Sequence, residues 1–255
     1  MSKKTGTGEW AVNNVNIAFG CRHDCRYCYA RAIALRFQRI STPRKWGSTY
    51  CKVRMDEVSK RRRKLKGTVM FPSTHDITPD ILPECIEVLR KLVEAGNRVL
   101  IVSKPHGACI AAIRMRMYKY RKQMLFRFTI GACDNALLAY WEPGAPNFEE
   151  RLATLRQTYR DGFATSVSIE PMLDSKNVLE LIDRLEPFVT ETIWIGKMRD
   201  VRRRCVPGTR EAAIRRIEAG QTDKRIMEIY RALKDAPKVR WKDSIREVVK
   251  KARRK

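Results

Sequence analysis

The sequence lacks any uninterrupted apolar run near the roughly 18 residues that suggest a membrane span, so a membrane protein is not expected. Its first six residues lack the apolar core of a secretory signal peptide, and we therefore expect a cytoplasmic protein. Internal repeats and low-complexity tracts are also missing. Because hydrophobic residues still make up 44% of the 255 residues, the composition excludes a disordered chain and fits a globular protein.

Acidic residues are scarce, since 28 Asp and Glu stand against 53 Lys and Arg, a formal net charge of +25. The positive surplus is clustered in residues 60–66, in residues 114–122, and in residues 197–255, which hold 21 basic and 8 acidic residues. Clustered Lys and Arg neutralise phosphates, so this distribution favours DNA or RNA as a partner. The alternatives are a solvated basic surface and, less favoured, an anionic membrane surface.

Short apolar runs alternate with helical patterns along most of the chain. Runs typical of buried strands lie at 69–71, 98–102, 125–130, 165–169 and 192–195, with a further candidate at 12–19. Helical spacing marks residues 79–95, 147–160 and 175–185, and Asn147 is expected to cap the second of these helices. This alternation predicts an α/β fold with a parallel sheet or barrel.

The pattern changes after about residue 200. Helices are expected at 209–219, 222–233 and 243–252, with Asp243 or Ser244 as the cap of the last one, and no strand is expected after residue 195. The sequence therefore predicts a core of residues 1–200 and a basic helical extension of residues 201–255.

Three of the eight cysteines, Cys21, Cys25 and Cys28, lie within eight residues in C-x3-C-x2-C spacing. In a reducing compartment such thiols stay free or bind metal. Thiolates spaced in this way can hold three irons of a 4Fe–4S cluster and leave the fourth iron open to a small molecule. Arg22 and Arg26 are expected to help keep these thiolates deprotonated.

Zinc is the alternative metal, with His23 or Cys51 as a fourth ligand. However, His23 lies between two of the cysteines, and no second C-x2-C pair follows. An iron–sulfur cluster is therefore favoured over zinc.

The cysteine spacing, with Tyr27 directly before the last cysteine, resembles the signature of the radical S-adenosylmethionine (SAM) superfamily. The resemblance implies a partial (β/α)6 barrel, a 4Fe–4S cluster on the three cysteines, and SAM bound at the open iron with Tyr27 beside its adenine. It implies that the reduced cluster passes an electron to SAM and that a 5′-deoxyadenosyl radical removes a hydrogen atom from the substrate. An electron-donor protein of the flavodoxin or ferredoxin type is then an expected partner.

Residues 20–31 and 71–76 are similar to the branch that contains spore photoproduct lyase and DNA repair photolyases. Residues 101–106 match the next strand of that branch, which implies that Lys104 reaches the SAM carboxylate. Segments 9–10, 168–173 and 193–196 are similar to a phage-associated radical-SAM-like family. The resemblance covers about residues 9–200.

The candidate site residues follow from this resemblance and from the predicted strand ends, which face the site in barrels of this kind. The candidate catalytic residues are Ser73 and Asp76, and the candidate SAM-binding residues are Tyr27, Ser73, Thr74, Lys104, Ser168 and Glu170. Asp76 has a second interpretation, as a cap of the helix that starts near Pro79. Ser73 stands where the lyase carries the cysteine that returns a hydrogen atom, and an O–H bond is too strong for that step. Thymine-dimer splitting by that route is therefore not expected.

The sequence thus predicts a radical SAM enzyme that acts on a nucleic acid, in repair or base modification, with a lyase or a transferase reaction left open. One alternative is a radical SAM enzyme that modifies a peptide or protein. The other is a zinc-stabilised nucleic-acid-binding module.

Overall fold

The computed structural model of the chain describes residues 6–47 and 51–254. Residues 1–5, on which the expectation of no export signal largely depends, lie outside the described residues. The strands are β1 (Asn13–Asn14), β2 (Ala18–Phe19), β3 (Lys52–Val53), β4 (Thr68–Phe71), β5 (Arg98–Ser103), β6 (Met124–Thr129), β7 (Ala164–Ile169), β8 (Ile193–Ile195) and β9 (Val239–Trp241).

The α-helices lie between these strands and after the last one. They are α1 (Tyr29–Arg36), α2 (Met55–Ser59), α3 (Leu82–Glu94), α4 (Gly107–Met117), α5 (Asn135–Trp141), α6 (Phe148–Arg160), α7 (Val178–Leu185), α8 (Val201–Arg204), α9 (Glu211–Gly220), α10 (Asp223–Leu233) and α11 (Asp243–Ala252). Short 3-10 segments occupy Gly6–Glu9, Pro43–Lys45, Pro79–Ile81, Tyr118–Gln123 and Glu186–Phe188. No helix within the described ranges has the length and apolar character needed to cross a bilayer.

One parallel sheet organises the described part of the chain. Its strand order is β1-β4-β5-β6-β7-β8-β9, and every neighbouring pair is parallel. Parallel neighbours need crossover connections, and the helices between successive strands supply them. The predicted α/β class is confirmed. The sheet is open, with β1 and β9 as its outermost strands, and is that of a partial barrel.

Local sequence signals account for several of the helix boundaries. In α3 the residues Cys85, Val88, Leu89 and Leu92 are fully buried at helical spacing, so this face packs on the sheet. Asn147 caps α6, because its side-chain oxygen accepts a hydrogen bond from the Glu150 backbone at 2.9 Å.

Two predictions about strands and one about a cap need correction. The candidate strand at 12–19 is divided between β1, in the main sheet, and β2, which pairs with β3 in antiparallel fashion. The expectation of no strand after residue 195 is wrong, because β9 pairs with β8 and places Val239 beside Ile193. A three-residue strand with an exposed Arg240 carries too little hydrophobic alternation to be recognised. The cap position of α11 is taken by Lys242. The division of the chain at residue 200 stays a prediction.

Candidate active site

A cavity of about 380 Å³ opens at the edge of the sheet where the strands have their carboxyl ends. This volume lies in the range of small-molecule and cofactor sites. Its walls include the following predicted site residues: Cys21, Cys25, Tyr27, Cys28, Ser73, Thr74, Asp76, Lys104 and Glu170. These residues come from the cysteine loop and from the segments after β4, β5 and β7, so the parallel sheet brings together groups far apart in sequence.

Ser168 is the predicted site residue that does not reach the cavity wall. It lies on β7, fully buried, and its hydroxyl has no hydrogen-bond partner among the described residues. Its neighbour across the sheet, Thr129 on β6, does line the cavity. The predicted contact between Ser168 and SAM stays a prediction.

The three cysteine thiols are largely removed from solvent. Burial raises the pKa of all three, to about 12 for Cys25, although the nearby Lys104 ammonium acts in the opposite direction. Binding to a metal must therefore displace protons from these thiols.

Arg22 and Arg26 both have partners outside the cysteine loop. Arg22 pairs with Asp80 at 3.0 Å, and Arg26 donates a hydrogen bond to the Tyr140 carbonyl at 2.7 Å. The expectation that these two residues support the thiolates stays a prediction.

The spacing of the possible ligands separates zinc from a cluster. One zinc ion gathers its ligand atoms within roughly 4 Å of one another. In the described part of the chain, one group of three such atoms lies within 4.8 Å, and it consists of Cys21, His23 and Asp76. Cys25 and Cys28 do not join it, so in this structure the three sulfurs do not converge with His23 or Cys51 as the ligands of one zinc ion would. A 4Fe–4S cube binds each cysteine at a different iron and so needs the wider separation. The cysteines fit the cluster.

Asp76 is a hydrogen-bonding centre rather than a helix cap. Its Oδ1 accepts hydrogen bonds from the Lys104 backbone at 2.8 Å and from the Ser103 hydroxyl at 3.0 Å. Its Oδ2 lies 3.3 Å from Lys104 Nζ and 2.8 Å from His23 Nδ1. Burial alone would raise the pKa of this carboxyl, but Lys104 and His23 hold it well below its usual range. The carboxylate therefore fixes the position of the lysine.

Asn16, which sequence reasoning missed, shapes the turn after β4, and His23 and His106 form a contact behind it. The Asn16 amide oxygen accepts hydrogen bonds from the backbones of Ser73 and Thr74 at 2.7 and 2.8 Å, and its nitrogen donates to the Ser73 hydroxyl at 2.9 Å. Behind Asp76, Nε2 of His23 lies 2.8 Å from Nε2 of His106. These partners are more than fifty residues apart, so no local pattern could have revealed them.

The Tyr27 side chain forms part of the cavity wall while its hydroxyl is bonded elsewhere. That hydroxyl donates to the Glu142 carboxylate, which pairs with Arg151 at 2.6 Å, and neither of these charged side chains is exposed. The sequence carried no signal for this pair, since Glu142 directly follows α5, Arg151 lies within α6, and neither belongs to a recognisable motif.

Glu170 is held by a buried lysine that sequence reasoning also missed. Lys242 Nζ lies 3.3 Å from Glu170 Oε2, 3.2 Å from Glu9 Oε1 and 2.6 Å from the Gly6 carbonyl oxygen. The Lys242 side chain is fully buried at the end of β9. Segments from both ends of the described chain thus meet at the cavity wall.

The cysteine loop rests directly on the chain that follows α5. The Gly144 backbone donates a hydrogen bond to the His23 carbonyl at 3.0 Å. A Cβ atom at Gly144 would lie 2.2 Å from the Arg22 carbonyl oxygen and 3.0 Å from the His23 Cα. Only glycine permits this approach of the two backbones.

We expect Gly144→Ala to destabilise the protein by about 1–3 kcal/mol and to lower the iron retained per chain, because the cysteine loop must move. Urea unfolding and iron analysis after anaerobic reconstitution measure the two effects. Gly8→Ala is the control, since its Cβ would meet no atom within 4 Å. Equal stability and iron content in the two variants would contradict this packing argument.

The structure separates two of the basic segments from the cavity. Residues 60–66 precede β4. Residues 114–122 comprise the last turn of α4 and the segment that precedes β6, so both basic segments lie at the opposite edge of the sheet. The cations on the cavity wall are instead Lys104, Lys197, Arg199 and Arg204.

Sequence comparisons find two relatives, both uncharacterized. No protein-family model matches the chain. It is 30% identical over 197 residues to an uncharacterized protein of Acidianus two-tailed virus, covering 73% of this chain and 64% of that protein. It is 24% identical over 176 residues to an uncharacterized protein of Methanocaldococcus jannaschii, covering 68% and 66%. The matched region thus spans just under two thirds of each relative.

Solved structures show which class of protein has this fold. A spore photoproduct lyase mutant with a dinucleoside spore photoproduct aligns with a TM-score of 0.53 and 17% identity, over 81% of this chain and 59% of that chain. A second lyase mutant with bound AdoMet gives 0.54 and 16% over the same shares. Streptococcus suis SuiB bound to the precursor peptide SuiA gives 0.55 and 8%, over 94% of this chain and 51% of that chain.

The chain therefore shares the fold of these proteins, and one of them, spore photoproduct lyase, belongs to the branch that its sequence resembles.

Proposed function

We propose that this protein is a radical SAM enzyme that holds a 4Fe–4S cluster on Cys21, Cys25 and Cys28 and acts on a nucleic acid. One observation carries the proposal: the three sulfurs and the Lys104 ammonium line a single cavity at the carboxyl edge of a parallel half-barrel. When bound, the cluster and SAM would supply a 5′-deoxyadenosyl radical. An electron donor of the flavodoxin or ferredoxin type would reduce the cluster.

We assign some residues of the cavity wall to SAM binding and others to holding those residues in position. Lys104 would bind the SAM carboxylate, and Asp76 acts as a positioning residue because it holds both the ammonium and His23. Ser73 and Thr74 would face the SAM amine, with Asn16 fixing their backbone. The Tyr27 ring would lie along the adenine.

Glu170 and Ser73 are the wall residues that we assign to the reacting side of the cavity. Glu170 would accept hydrogen bonds from the SAM ribose or the substrate, with Lys242 holding its carboxylate. Ser73 stays the candidate catalytic residue, since its hydroxyl is on the wall at the end of β4.

Charge supports a nucleic acid as the substrate. Lys197, Arg199 and Arg204 stand on the cavity wall of a protein with a net charge of +25, which suits a phosphodiester chain. Of these three, Arg199 also pairs with Asp243 and Glu247. The lyase neighbour holds a dinucleoside spore photoproduct. A peptide or protein is the second candidate, favoured by the SuiB complex with a precursor peptide, which aligns with 94% of this chain.

Anaerobic reconstitution with iron and sulfide tests the proposal. We expect about four irons per chain, a reduced-cluster signal in electron paramagnetic resonance, and 5′-deoxyadenosine on addition of SAM and a reductant. Incubation with cellular RNA, DNA or peptides, followed by mass spectrometry, then identifies the substrate. About one metal ion per chain and no 5′-deoxyadenosine would contradict the proposal and point to the Cys21, His23 and Asp76 group instead.

A further inference from the structure

A second charged surface lies at the edge of the sheet opposite the cavity. Residues 60–66 lead into β4, and residues 118–123 lead into β6. The strand between them, β5, begins at the exposed Arg98. Neighbouring strands lie roughly 4.8 Å apart, so the two segments are roughly 10 Å apart where they enter the sheet.

Hydrogen bonds hold the first segment in place. Asn97, just before β5, accepts from the Leu65 backbone at 2.8 Å and donates to the Arg63 carbonyl at 3.1 Å. The Lys66 carbonyl accepts from the Asn13 side chain at 2.8 Å. The cations of this segment therefore stand on an ordered surface.

Acidic partners are scarce on this surface. We define the strand-start surface by its exposed cations: Arg61, Arg63, Lys64, Lys66, Arg98, Arg116, Lys119 and Lys122. Within residues 6–47 and 51–254, none of them forms an ion pair with a carboxylate. The neighbouring carboxylates are used by other cations, since Glu57 pairs with Lys60 and Arg62, and Asp161 pairs with Arg114.

Exposed non-polar groups lie among these cations. Met115 is 79% exposed and Tyr118 is 51% exposed, both next to Arg116 and Lys119. Tyr118 is an exposed aromatic side chain of this surface, and the Arg121 guanidinium lies 4.5 Å from its ring centroid. Unpaired cations around an exposed tyrosine suit a nucleic acid, because phosphates pair with the cations and a base can stack on the ring. An acidic protein would use the cations but would leave the exposed tyrosine without a role.

We propose that the strand-start surface is a nucleic-acid docking site separate from the cavity, which anchors a phosphodiester chain while the reaction takes place at the other edge. The docking needs neither the cluster nor SAM; only the idea that the anchored chain is also the substrate rests on the proposed function. Six-residue strands separate the two edges by roughly 20 Å. A nucleic acid that reaches both sites must therefore be long enough to span this distance in addition to the part that enters the cavity.

Removing four charges from this surface tests the proposal. The variant Lys64→Gln, Lys66→Gln, Lys119→Gln and Lys122→Gln is compared with a control that loses four exposed cations on and just after the C-terminal helices: Lys224→Gln, Arg231→Gln, Lys250→Gln and Arg254→Gln. Binding of 30-nucleotide RNA, single-stranded DNA and duplex DNA is followed by fluorescence anisotropy across a salt series, and the arms show which phosphodiester chain docks.

We expect the surface variant to lose at least about tenfold in affinity and to show a salt dependence shallower by roughly 3 in slope. The control variant should stay close to the unmodified protein. Equal losses in the two variants would overturn the proposal, because they would trace binding to net charge alone. Tighter binding of polyglutamate than of RNA or DNA would overturn it in favour of an acidic partner.

Production of 5′-deoxyadenosine without nucleic acid is measured in the same samples and should be unchanged in the surface variant. If the unmodified protein cleaves no SAM while the surface variant still loses binding, the proposed reaction fails and the docking site stands. If SAM cleavage is normal and the surface variant binds as the unmodified protein does, the docking site fails and the reaction stands.

Discussion

Replacing Cys25 by alanine is expected to leave a folded protein that neither retains a complete iron cluster nor produces 5′-deoxyadenosine. Cys25 is buried on the cavity wall, and losing one sulfur removes little volume from the core. Losing a residue that merely supports a metal ligand costs roughly 10–100-fold in affinity or activity. The loss of a ligand itself should exceed that range. Iron analysis, electron paramagnetic resonance and chromatographic detection of 5′-deoxyadenosine measure the effect, and circular dichroism checks the fold.

Cys133→Ala is the matched control, because Cys133 is a half-buried thiol that is not part of the cavity wall. This variant should bind iron and cleave SAM as the unmodified protein does. Production of 5′-deoxyadenosine by Cys25→Ala would remove the cluster assignment, and with it the proposed chemistry.

Replacing Lys242 by methionine is expected to lower the free energy of unfolding by roughly 3–5 kcal/mol, the cost of leaving buried charges without their partner. The lysine is fully buried between Glu9, which is 4% exposed, and Glu170, which is 22% exposed. We expect the lower part of this range, since Arg246 stays 2.8 Å from Glu9. Urea unfolding followed by tryptophan fluorescence measures the change.

Two further variants test whether the loss of stability is specific to the buried ammonium of Lys242. Lys234→Met removes the ammonium that lies 3.4 Å from Asp235 in an exposed pair and should cost at most about 1 kcal/mol. Adding Glu170→Gln to Lys242→Met should restore part of the lost stability, because it removes an unpaired buried charge. A similar small loss in the two lysine variants would show that Lys242 is not a structural centre.

The local patterns of the sequence predicted most of the elements around the site. Hydrophobic runs of three to six residues located β4, β5, β6 and β7, and Asn147 marked the start of α6. They failed at β9, where only Val239 is buried, since a strand of three residues is defined by pairing with a neighbour and not by its own composition.

Sequence reasoning predicted a site residue only when that residue belonged to a motif or followed a recognisable strand. Cys21, Cys25 and Cys28 have their spacing within eight residues, and Lys104 follows an obvious strand. Asn16, Glu142 and Lys242 have no such signal. Each acts on a partner at least 57 residues away in the chain, so its role arises only when the chain has folded.

By itself, the sequence determined the three-cysteine loop, the alternation of strand and helix, and the excess of positive charge, because these depend on residue identity and short-range spacing. The tertiary structure decided which of those charges lie near the cysteines. A parallel sheet sends the ends of its strands to one edge and their beginnings to the other. It therefore places Lys104 and Glu170 on the wall of the cavity that the three cysteines also line, and carries the basic segments 60–66 and 114–122 to the opposite side of the molecule.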